Sequence, residues 1–254
     1  MIAAPVSTGL RPNLAPGLRP VRGFEATGYA WHGERIVWAG EQARTDHPRN
    51  FHKPWQPAPQ TFDPRRLHRG AACAIAMPHA DTAAHPGLLT WLVGQPLPFP
   101  LEGARSRFDA VRAALEADDA AAFEAAALRV LGLGPGLTPS GDDFLGGIFF
   151  ALAHAPRPAW TGRLPALQAR VCRACDTATN VISAALLSDL MRGIGYRALH
   201  EALEALHSQR PAAIAPAVRA LLRVGASSGA DLLAGLLLAL GIASARDPSV
   251  HPSP

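Results

Sequence analysis

Residues 131–152 read LGLGPGLTPSGDDFLGGIFFAL, and the rest of the chain is organised around this stretch. Gly132, Gly134, Pro135, Gly136 and Pro139 form a loop pattern, and the apolar run from Phe144 onward forms a helix pattern. Ser140 is the expected N-cap, with Asp143 three residues later as a short-armed capping-box partner. Glycines let a ligand approach the backbone, and a first helical turn offers N–H groups that have no intrahelical acceptor. Asp142 and Asp143 add two carboxylates at the same helix mouth.

The stretch has an echo. Placing residue n over n+88 aligns SGDDFLGG, from Ser140 to Gly147, with SGADLLAG, from Ser228 to Gly235. The expectation is a duplicated loop–helix unit of pattern SGxDxLxG, its copies related by a pseudo-two-fold axis. Gly147 and Gly235 fall in helix interiors, where glycine costs about 1 kcal/mol relative to alanine. A close crossing of two buried helices would account for that cost and would turn both helix mouths toward one cleft. Features common to both copies, Ser140/Ser228 and Asp143/Asp231, suit capping and packing. Features of the first copy alone, Gly134 to Pro139 and Asp142 (Ala230 in the second), are the sharper functional candidates.

Outward from this centre the chain changes character at about residue 103. Residues 1–22 are rich in proline, glycine and arginine and read as an arm. Residues 23–103 read as a β-rich, proline-laced region. Tyr29, Trp31, Ile36 and Trp38 flank a hairpin turn at His32-Gly33-Glu34, 71–77 is a short apolar run read as a buried strand, and 88–93 is another short apolar run in the same region. Residues 104–246 read as a helical domain, with amphipathic or apolar helices at 105–117, 123–130, 144–152, 164–175, 180–191, 196–207, 217–224 and 229–244. Residues 247–254 form a tail. The expected fold class is α+β: a β-rich N-terminal region followed by a helical bundle that contains the duplicated unit.

Composition narrows the function classes. The net charge is +4, and the one basic cluster, Arg65, Arg66, His68 and Arg69, has no interleaved aromatics, so nucleic acid is not an expected partner. Cys73, Cys172 and Cys175 cannot make a disulfide framework, and the CxxC of Cys172 and Cys175 has no second pair to complete a metal site. The longest apolar run, 232–243, is shorter than the roughly 20 residues of a membrane span, and the N-terminus lacks an apolar signal core. A cytoplasmic location is the expectation.

A glycine loop at a helix start is an anion site by default, yet two aspartates there repel a bare phosphate. Two arrangements resolve this. A magnesium ion could bridge Asp142, with Asp143 or Asp231, to a phosphate. Alternatively the aspartates accept hydrogen bonds from an amide or ammonium group while backbone N–H groups hold the anionic end. Asp142, Asp143 and Thr138 are the catalytic candidates. Gly134, Gly136, Leu137, Thr138, Ser140, Gly141, Thr179, Asn180, Ser183, Ser227, Ser228, Gly229 and Asp231 are the substrate-binding candidates, and Asp142 is the metal candidate. Thr179 or Asn180 could instead cap the helix that follows. Arg129 and Arg223, ahead of the two loops, could reach an anion or face solvent. No Walker A or dinucleotide fingerprint is present.

The segment GLGPGLTPSGDDFLGG, 132–147, resembles a bacterial family associated with the AllH subunit of oxamate carbamoyltransferase. GASSGADLLAGLLLAL (225–240) and TATNVISAALL (177–187) are similar to it too, and the resemblance covers roughly 110–240. The second motif departs at Ala226, where a histidine is common in the family. The resemblance implies carbamoyl transfer in purine or allantoin catabolism, in which carbamoyl phosphate and oxamate exchange with oxalurate and phosphate. It also implies small anionic substrates and action with partner subunits or as a homo-oligomer. A non-catalytic partner subunit, in which the motif only packs helices, is the competing reading.

Overall fold

The computed structural model describes residues 15–24, 27–39, 46–52, 54–57, 62, 76–77, 80, 87–208 and 210–243. The chain divides into two compact units, Met1–Gln56 and Pro57–Pro254. Cys73, the Arg65–Arg69 cluster, the tail, and most of the arm and of the 71–77 run lie outside the described residues.

The first unit holds a small antiparallel sheet of β1 (Leu18–Pro20), β2 (Tyr29–His32) and β3 (Arg35–Trp38) in that order. The hairpin turns at Gly33 and Glu34, with Trp31 opposite Ile36 and Tyr29 opposite Trp38. Ala30, Ile36 and Val37 are buried, and Arg49 donates to the Ile36 carbonyl at 2.8 Å.

The α+β expectation is overturned here. These three short strands are the only ones among the described residues, and the fold is mostly a C-terminal helical bundle. The 88–93 run is not a strand. It forms a turn of helix, α1 (Leu89–Leu92), with Leu89 and Trp91 buried. A six-residue apolar run bounded by breakers does not distinguish strand from buried helix, and the prolines that follow cannot donate to a sheet ladder.

The second unit continues with α2 (Arg105–Ala117), α3 (Ala120–Val130), α4 (Ser140–His154), α5 (Leu164–Ala178), α6 (Val181–Met191), α7 (Arg197–Ser208), α8 (Pro211–Leu222) and α9 (Ser228–Ala243). Asp119 caps α3 by accepting from the N–H groups of Ala121 and Ala122, and Asn180 caps α6 through Ile182 and Ser183. α8 starts earlier than its sequence suggests. Pro211 occupies the first turn, where a missing N–H is harmless, and Pro216 lies inside, where it forgoes one i→i−4 hydrogen bond.

α4 is the centre of the core, buried from Ser140 through Leu152. Phe144 meets Trp91 and Phe108 edge-on at 5.6 and 5.4 Å, and Phe149 meets Phe123 at 5.9 Å. Its most extensive partner is α9. There the backbones touch: a Cβ on Gly147 would collide with the Leu232 carbonyl and lie 2.9 Å from the Leu236 nitrogen. A Cβ on Gly235 would collide with the Phe144 carbonyl and lie 3.0 Å from the Ile148 nitrogen.

The expected duplicated loop–helix unit is also corrected. Residues 131–139 ahead of α4 form a long turn with Gly132, Gly134 and Gly136 at positive φ, whereas the short turn ahead of α9 has a single such residue, Gly225. A buried first turn and a close crossing ask for Ser, Asp, Leu and Gly at the same spacings in any helix. The pattern therefore recurs in the helices without a repeated unit around them.

The crossing makes a direct prediction. Gly147→Ala and Gly235→Ala should each destabilise the protein by about 3 kcal/mol, the upper range for overpacking, even though alanine is the better helix former. Urea midpoints check this, and a rise in stability in either variant would overturn the close crossing.

Candidate functional site

The loop between α3 and α4 is shaped by its glycines. Gly132 has φ 75° and its hydrogen faces the Ala178 carbonyl, where a side chain has no room. Gly134 has φ 111°, and a Cβ there would lie 2.8 Å from the Ser140 nitrogen. Pro139 takes the N-cap position, its carbonyl accepting from the N–H groups of Asp142 and Asp143 at 2.9 and 3.1 Å. Ser140 is thus the first helical residue rather than the cap expected from its type, because its side chain faces across to Asp231 instead.

Asp142 ties three elements together. Its Oδ1 accepts from the Gly132 N–H at 2.6 Å, and its Oδ2 accepts from the Ser183 hydroxyl at 2.6 Å and from the Thr179 hydroxyl. Asn180 completes the clamp, donating from Nδ2 to the Leu137 carbonyl at 2.8 Å while its Oδ1 caps α6. The side chain of Asp142 is buried, which raises its pKa despite three hydrogen bonds that favour the charged form. These donors compete with a cation for the Asp142 lone pairs. Among the described residues no group of three His, Cys, Asp or Glu is arranged to hold a metal.

Asp143 and Asp231 sit where the first turns of α4 and α9 meet. The hydroxyls of Ser228 and Thr138 face the Asp143 carboxyl, and those of Ser140 and Ser227 face Asp231. Thr138 Oγ1 and Ser228 Oγ are 2.9 Å apart. Asp231 Oδ1 accepts from the Leu88 N–H at 2.7 Å, a partner from ahead of α1. Burial and then the charge of Asp231 push the Asp143 pKa well above the ordinary carboxylate value. Burial pushes Asp231 up to about 6.

The structure therefore brings Thr138, Ser140, Asp143, Ser227, Ser228 and Asp231 together at one junction. Leu137, Asp142, Thr179, Asn180 and Ser183 form the adjoining clamp. Gly141 and Gly229 are spent on packing, each hydrogen facing a preceding backbone carbonyl, of Val130 and Leu221. Pro135 and Gly136 are exposed at the loop tip, with Gly134, Leu137 and Thr138 half-buried behind. Among the described residues the N–H groups of Gly134, Gly136, Leu137 and Thr138 have no acceptor. Arg129 is exposed. Arg223 is exposed as well and borders a separate cavity of about 560 Å³ between α7 and α8, shared with Glu201, Glu204, Ser208 and Arg210. Leu88 carries no sequence signal of this role, since nothing around it marks a backbone donor for an aspartate 143 residues away.

Residues 130–240 match the family model described as oxamate carbamoyltransferase subunit AllH. This span runs from the end of α3 to α9 and contains the loop, the clamp and both buried aspartates. No solved structure matches the chain significantly. Among the described residues no helix is long and apolar enough to cross a membrane.

The two raised carboxyls carry a signed pH prediction. Each binds its proton more tightly folded than unfolded, so their stabilising contribution is complete below the unfolded value near 4. It is lost as pH rises through about 6 for Asp231 and through the raised value of Asp143. Asp231→Asn keeps an acceptor for Leu88 and removes the charge. Wild type should lose roughly 3 kcal/mol more than this variant between pH 4 and pH 7, a figure set by the shift of about two units at Asp231. Denaturant midpoints across that range check it, and parallel curves would contradict it. A second expectation concerns the clamp. Asp142→Ala strands three donors and should cost about 3 kcal/mol by the same measurement.

Proposed function

We propose that the chain is a carbamoyltransferase subunit whose glycine loop and α4–α9 junction bind small anions. The reaction proposed is transfer of the carbamoyl group of carbamoyl phosphate to oxamate, giving oxalurate and phosphate. The observation that carries this reading is the row of N–H groups at Gly134, Gly136, Leu137 and Thr138, without acceptors, beside the N-terminus of a buried 15-residue helix. The family match over 130–240 supports the same reading.

The chemistry suits these groups. The amide nitrogen of oxamate attacks the carbamoyl carbon, the bond from that carbon to the phosphate oxygen breaks, and the nitrogen's proton ends on phosphate. Charge gathers on the carbonyl and phosphate oxygens. Preorganised backbone donors and the hydroxyls of Thr138 and Ser228 stabilise it there. The competing reading, a non-catalytic partner subunit, draws on the clamp. Asp142 has its carboxylate occupied by Gly132, Thr179 and Ser183, as a purely architectural residue would.

Titration calorimetry separates the two. Wild type, with any co-purifying subunits, should bind carbamoyl phosphate. Gly136→Ala should weaken binding about tenfold and, through about 1 to 2 kcal/mol of backbone strain, lower the melting temperature by a few degrees. Its Cβ would meet nothing within 4 Å, so the effect comes from forcing alanine into φ 99° at the loop tip. Absence of binding by wild type, with and without oxamate, would eliminate the transferase reading.

A further inference from the structure

Asp143 and Asp231 are 5% and 0% exposed, and the Oδ2 atom of each has no hydrogen-bond partner. Among the described residues no basic side chain offsets them. The ion pairs among the described residues involve Asp118, Glu124, Asp189 and Glu201, and the other charged group acting on Asp143 is Asp142, one residue earlier on α4. Counting hydrogens sharpens the point. Thr138 and Ser228 bring one hydroxyl hydrogen each, and their mutual bond at 2.9 Å uses one. A single hydrogen then remains for Asp143 or for a ligand. Asp231 has the Leu88 N–H and the hydroxyls of Ser140 and Ser227 on its side, but two ionised carboxylates that act on each other, each with an unpartnered buried Oδ2, are strongly disfavoured in a low-dielectric interior. Close carboxyl pairs relieve this by retaining one proton.

The carboxyls are too deep to touch a substrate, whereas Thr138 and Ser228 are half-buried at the surface of the junction. We propose that Asp143 and Asp231 hold one proton between them and exchange it with the bound substrates through the Thr138–Ser228 hydroxyl pair. The proposal rests on the carbamoyl-transfer reading and supplies its proton path. As the carbon–oxygen bond to phosphate breaks, its electron pair goes to the phosphate oxygen, which takes a hydroxyl hydrogen from the pair. The hydroxyl regains a proton from Asp143. The proton released by the attacking amide nitrogen returns along the same hydroxyls, so the aspartates end with the single proton they began with. Asp231 is a positioning residue here, held by the Leu88 N–H and by Gly87, where a Cβ would lie 2.8 Å from Asp231 Oδ1.

Two measurements on the full chain test this. Infrared spectroscopy of protein labelled with carbon-13 aspartate at pH 7 should show a protonated-carboxyl band that is absent from the Asp143→Asn/Asp231→Asn double variant. In turnover assays Thr138→Ser should retain activity. The Thr138→Ala/Ser228→Ala double variant should lose about 100-fold in kcat while its carbamoyl phosphate Kd changes less than about threefold. Wild type without the band, or the alanine variant with undiminished kcat, overturns the relay while leaving the transferase reading in place. Failure of wild type to bind carbamoyl phosphate overturns the transferase reading itself, and the relay's role falls with it even if the band is present.

Discussion

The contact of α4 with α9 through Gly147 and Gly235 sets the geometry of everything around the loop. With no side chain between them at that point, each backbone rests on a carbonyl of the other helix. Ser140 and Ser228 each lie seven residues before these glycines, roughly 10 Å along the axis. Helices that touch at the crossing remain close enough at that distance for Ser140 to face Asp231 and Ser228 to face Asp143. A wider crossing would put water between the carboxyls, and their shared electrostatics would fade.

Three aspartates within one junction thus have two different characters, decided by hydrogen-bond supply. Asp142 has a donor for each lone pair that matters and joins the end of α3, the end of α5 and the start of α6. Asp143 and Asp231 each keep a buried Oδ2 without a partner, and they cost stability at neutral pH that the core around Phe144 and Phe149 must offset. A purely architectural helix pair would favour Asn or Ser at such positions. Two acids in a buried crossing, each with an unpartnered Oδ2, are the observation on which the proposed proton exchange rests.

Much of the helical part was legible in the sequence because local rules govern it. Arg105–Ala117 shows its amphipathic period, and Asp119 and Asn180 are polar residues just where a cap is needed. The proline-laced region is less legible because a short apolar run such as 88–93 carries no period to separate strand from helix turn. Ser140 has the residue type of a cap, but tertiary contact with Asp231 outweighs that local preference and Pro139 takes the position. The n+88 alignment separates Asp142 from Asp143, but not by the donors that reach each carboxyl. Adjacent and chemically identical, they differ only in which distant donors reach them.

The hydrogen bond from Leu88 to Asp231 bears on modularity. The span that matches the family model begins at residue 130, whereas the backbone donor that orients this buried acid comes from the turn before α1. Transplanted alone, residues 130–240 would carry the motif without one of its electrostatic supports. The N-terminal side of the second unit is thus part of the site's construction rather than a separable appendage. Chains that share the motif but differ before it can have the same loop and a differently tuned acid beneath it.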